Sequence, residues 1–100
     1  MEIPKQVKIG GKKYNVRTVR TVGAKGMMGE ADYAKRKLTV ATHSNISGRS
    51  FKAEEMADTF WHEITHAILH SMNHRLTYNE KFVTQFSNRL TEAILSAKFE

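Results

Sequence analysis

The chain has 100 residues, 40% apolar and 26% charged, which suits one globular domain (1–100) and leaves no room for a second. It has no cysteine, which excludes a disulfide framework and a thiolate metal site, and no apolar run reaches the roughly 20 residues needed to cross a bilayer. Lysine and arginine number 16 against 10 acids, and a formal charge of +6 raises nucleic acid or an acidic partner as candidates.

The opening Met1-Glu2-Ile3-Pro4-Lys5 lacks the apolar core of a signal peptide. Together with the missing cysteines, this gives the expectation of a cytoplasmic protein. The positive charges crowd the first half, from Lys5, Lys8, Lys12 and Lys13 through Arg17 and Arg20 to Lys35, Arg36 and Lys37. They alternate with apolar residues, which favours the solvated face of a sheet over a nucleic-acid surface.

Strands are expected first. Gln6 to Ile9 is short, apolar on Val7 and Ile9, and Gly10-Gly11 is a turn signal. Lys12 to Val22 alternates, but its phase slips between Val16 and Val19, which predicts a bulge or bend. Three glycines make Gly23 to Gly29 a loop. Glu30 to Tyr33 and Lys37 to Ala41 read as a hairpin, and Thr42 to Ser50 as a polar loop.

A helix is expected from Lys52 to Met72, with Met56, Phe60, Ile64, Ala67 and Ile68 as its buried stripe. Its centre reads His62-Glu63-Ile64-Thr65-His66, the pattern H-E-x-x-H. Imidazoles four residues apart share a helix face and can bind one metal ion, and the glutamate between them can act as a base toward water on that ion. The two histidines fall on a different face from the apolar stripe. Asn73 is a plausible left-handed stop. Thr77-Tyr78-Asn79-Glu80 fits a capping box for a second helix, Tyr78 to Lys98, with Phe82, Phe86, Leu90 and Ile94 repeating every four residues and Val83 and Leu95 alongside.

Without cysteine, a metal must sit on His, Glu or Asp, and a catalytic zinc usually keeps three protein ligands. His70 continues the histidine series, but it lies about 12 Å along the axis from His62, too far to share an ion. Glu80 is the better third ligand: in an antiparallel helix pair its level differs from that of His66 by about 6 Å, which tilt and side-chain length can close. It has a competing role as the acid of the capping box, and one role should dominate.

His62 to His70 and Glu80 to Ser87 resemble two segments of the small gluzincin-type metallopeptidases, in particular the ImmA/IrrE-like group of phages and mobile elements. The first looks like that family's active-site helix, with a non-ligand histidine at the place of His70. The second is similar to its ligand segment, a glutamate followed at six residues by phenylalanine. The resemblance implies an α+β, minimal zincin-like domain: a small, mostly antiparallel sheet and loops in 1–50, then two packed helices in 51–100. It implies Zn2+ on His62, His66 and Glu80, with Glu63 as general base in peptide-bond hydrolysis by a zinc-activated water.

A polypeptide substrate is then expected to lie extended along an edge strand, for which Lys37 to Ala41 is the candidate. His74, Tyr78, His43 and His70 are unranked candidates to stabilise the oxyanion. The alternative is a catalytically inactive zincin-fold binding or regulatory protein. Retention of Glu63 weighs against it, since a binding module has no need of that carboxylate.

Overall fold

A computed structural model describes residues 1–100. Strands β1 (Gln6–Ile9) and β2 (Lys12–Val19) form an antiparallel hairpin. Gly10 and Gly11 both take positive φ (57° and 78°), the conformation a two-residue hairpin turn demands. Strands β3 (Gly29–Asp32) and β4 (Lys37–Ala41) form a second antiparallel hairpin. Strand β4 also pairs in parallel with β2, giving one four-stranded mixed sheet in the order β1-β2-β4-β3. The fold is α+β, as expected, with antiparallel pairing in two of its three ladders.

Two strand expectations are corrected. Strand β2 stops at Val19, where a bulged strand was expected to continue to Val22; Val22 is instead buried from the loop that follows. Lys37 to Ala41 is no edge strand: β4 is flanked on both sides, and the edge beside the helices is β3. The hairpin folds its first strand outward because β2 takes the other side of β4.

Helix α1 (Ala53–Ser71) has its ends within one residue of the expected span. At its start the Glu55 carboxylate accepts the Lys52 N–H (2.9 Å) and a bidentate pair from Arg49 (3.0 Å each), which holds that carboxyl down near 2. Asn73 ends the region in the left-handed conformation, φ 53°. A 3-10 turn (Arg75–Tyr78) then leads to α2 (Glu80–Ser96).

The core joins Tyr14, Val16, Leu38 and Val40 of the sheet to Phe60, Ile64 and Ala67 of α1. Helix α2 packs on α1 and the 3-10 turn and touches no strand, so the layers run sheet, α1, α2. Helix α1 is therefore covered on two sides. One side carries the predicted stripe, although Ile68 at its end is exposed. The other carries both histidines.

The expected stripe of α2 holds in part: Val83 is buried and Phe82, Leu90 and Ile94 are half-buried, but Phe86 and Leu95 are exposed. The helix buries Val83, Ser87 and Thr91, while Phe86 is 48% exposed and stacks on Phe82. A helix that meets a single neighbour needs only a narrow contact strip, and small side chains there let the two backbones approach closely.

Candidate metal centre

His62 and His66 project from successive turns of α1, their rings 5.0 Å apart. Glu80 is the first residue of α2 and reaches back across the helix pair. Its Oε1 lies 2.6 Å from Nε2 of His66 and its Oε2 3.1 Å from Nε2 of His62. One ligand atom from each of the three side chains lies within 4.8 Å of the other two, an arrangement that could hold a metal ion. Two imidazole nitrogens and a carboxylate oxygen are a donor set that zinc accepts, with room for water in a fourth place.

The competition for Glu80 is resolved by the chain just ahead of it. Asn79, not Thr77, caps α2: its side chain accepts the Phe82 N–H at 3.0 Å. Glu80 thus sits one residue past the cap and has no capping duty. Thr77 is drawn into the 3-10 turn and faces His66 instead.

The three residues line a cleft of about 600 Å³ between α1, the start of α2 and the edge strand β3. Glu63 lines the same cleft and is only 9% exposed. Burial pushes its carboxyl up to about 7, with the Glu80 and Glu30 carboxylates adding to the effect. Burial also lowers His62, against the pull of the Glu80 carboxylate. A lowered histidine keeps its lone pair at neutral pH, the form that binds metal.

The remaining histidines stand apart. His70 stacks on Tyr33, with centroids 3.9 Å apart and planes at 13°, and contributes no ligand. His74 uses its Nδ1 to cap the 3-10 turn, and His43 pairs with Thr42. Of the four oxyanion candidates only Tyr78 lines the cleft, and it is joined there by Tyr33, which the sequence reading passed over. Burial raises the Tyr33 phenol, so it stays protonated and able to donate. Nothing in the local pattern marks Tyr33: it follows β3 in sequence and reaches the cleft only because β3 lies beside α1.

Gly29 explains how β3 comes so close. A Cβ there would stand 2.6 Å from Thr59 Cγ2, 3.1 Å from the Thr39 carbonyl and 3.2 Å from Glu63 Cγ. The absence of a side chain lets the strand lie directly against the Glu63 turn of the helix. Comparison with models of known protein families, with curated proteins and with solved structures returns no match for this chain.

Proposed function

We propose that the protein is a zinc-dependent metalloendopeptidase of the gluzincin type. The reading is carried by one observation: His62, His66 and Glu80 converge in a cleft whose wall also presents the buried, otherwise unpartnered carboxyl of Glu63. Zinc, when bound, supplies Lewis acidity, lowering the pKa of a water and polarising a peptide carbonyl. Glu63 takes a proton from the attacking water and passes it to the leaving amine; a carboxyl held near 7 suits both halves of that transfer. Tyr33 and Tyr78 are the phenols available to donate to the oxyanion.

An extended polypeptide is the substrate that fits the cleft's β3 wall. The Ala41 N–H donates to the Met28 carbonyl at 2.8 Å, which sets the phase of the β3–β4 ladder. By the alternation of an antiparallel pair, Glu30 and Asp32 bond inward to β4 while Gly29 and Ala31 turn their N–H and C=O groups outward. Those groups can hold a peptide by strand addition. No helix is long and apolar enough to cross a membrane.

The test is the metal content of the purified protein beside Glu80→Ala and His70→Ala, with cleavage of an unstructured protein followed on each. One zinc per chain, lost with Glu80→Ala and kept with His70→Ala, supports the site. Cleavage by the wild type, abolished by Glu63→Gln, supports the activity. Absence of zinc from the wild type sinks the enzyme reading. Zinc without cleavage of any polypeptide favours an inactive binding protein of the same fold.

A further inference from the structure

Two buried hydroxyls stand behind the histidines, one for each ring. Thr77 Oγ1, from the 3-10 turn, lies 3.5 Å from Nδ1 of His66. Ser87 Oγ, from the middle of α2, lies 3.5 Å from Nδ1 of His62. Thr77 is 7% exposed and Ser87 fully buried. Each hydroxyl already has a carbonyl to receive its proton: Thr77 donates to the His66 carbonyl (3.2 Å) and Ser87 to the Thr84 carbonyl (3.3 Å). Toward the imidazole each is then free to accept, an arrangement that suits a ring nitrogen carrying the hydrogen.

We propose that Ser87 and Thr77 are positioning residues of the metal centre, each holding one ligand imidazole with Nδ1–H turned to a hydroxyl and the Nε2 lone pair turned to the metal. This rests on the zinc reading above. In that tautomer Glu80 faces the two nitrogens that would bind the metal. With Nδ1 protonated on both rings, two Nε2 lone pairs face carboxylate oxygens at 2.6 and 3.1 Å. A bound cation would lie between those lone pairs and the carboxylate; without one, an Nε2–H donating to Glu80 is the competing tautomer.

The proposal also explains the composition of the α2 contact strip. A serine at the fully buried position 87 does little for packing that alanine would not do. Its hydroxyl is the one polar group that α2 places behind His62. Partners behind metal-bound histidines typically contribute about 10–100-fold to metal affinity.

The experiment uses the full chain and zinc ions, with Ser87→Ala, Thr77→Val and Thr77→Ser. Neither removal strands a carbonyl, because both are also helix acceptors; only the ring N–H loses its partner, and circular dichroism should show the variants folded. Zinc affinity, read by competition with a chromophoric chelator, is expected to fall about 10–100-fold in Ser87→Ala and in Thr77→Val. Thr77→Ser should restore it. In nitrogen-15 spectra of the zinc-loaded protein, the slowly exchanging Nδ1–H signal of His62 should be lost or shifted in Ser87→Ala alone. That of His66 should change in Thr77→Val alone, a pairing that general loosening of the fold does not produce. Unchanged affinity with both signals in place overturns the proposal and leaves the zinc site standing. A wild type that takes up no zinc overturns both.

Discussion

Glu63 carries the sharpest electrostatic consequence at the scale of a single residue. In the metal-free protein its carboxyl is raised from an ordinary 4.5 to about 7, chiefly by burial. The folded state therefore favours the neutral form, and stability linked to this group is full below about 4.5 and lost as pH rises through 7. Above that window the ionised carboxylate costs the fold on the order of 3 kcal/mol. Glu63→Gln keeps the shape and removes the titration. Urea unfolding of metal-free protein should then show the variant gaining on the wild type between pH 4.5 and 7 and holding a constant lead beyond. A difference that stays flat across the window would mean that the carboxylate is compensated by a partner. The same group thus destabilises the metal-free fold and, in the proposed reaction, transfers the proton, a common cost of functional sites.

Among the elements, β3 and α1 depend on each other through one missing side chain. Gly29 has ordinary strand geometry, so its role is steric and not conformational. In Gly29→Val the new side chain meets the Thr59 methyl, the Thr39 carbonyl and Glu63 itself. Relief requires β3 to move away from the helix or Glu63 to turn. Overpacking of this kind costs about 1–3 kcal/mol, and the urea midpoint should fall accordingly. Peptide cleavage should fall further than stability explains, since the strand and the base are displaced together, while zinc uptake by His62, His66 and Glu80 should persist. An active Gly29→Val protein with wild-type stability would show that the strand has room to spare.

The whole molecule places a sheet edge, two helices and a turn around one cleft, and only that assembly makes the path proposed for a peptide. Ala31 lies on the cleft wall with its N–H turned away from β4 by the ladder's phase. Proline is tolerated at such an outward edge position, where it removes one free donor without breaking the sheet. Ala31→Pro is expected to raise KM for an extended peptide several-fold, with kcat and zinc content little changed. An unaltered KM would remove strand addition from the binding mode. The basic charge belongs to a different part of the surface: Lys8 faces Lys13 across the β1–β2 ladder, and Arg17 and Lys37 follow along the side of the sheet opposite the core. Alternation with buried residues produced that pattern, as the sequence reading anticipated.

Much of this was legible in the chain because it is governed by neighbours in sequence. The H-E-x-x-H spacing puts both histidines on one helix face by helix geometry alone, and the paired glycines and Asn73 mark turns by their backbone freedom. Glu80 was reachable too, since a short link between helices restricts where α2 can begin. What the chain could not disclose depends on contacts between distant segments. Strand order is decided by which hairpin strand β2 accepts, and so β3, not β4, became the edge. The inward face of α2 is decided by α1 lying between it and the sheet, which left Phe86 outside and took Ser87 in. Tyr33 and Ser87 carry no local signal, and the only one at Thr77 was for a cap that Asn79 supplies. All three reach the candidate metal site only because packing folds three separate stretches of backbone against the helix that carries both histidines.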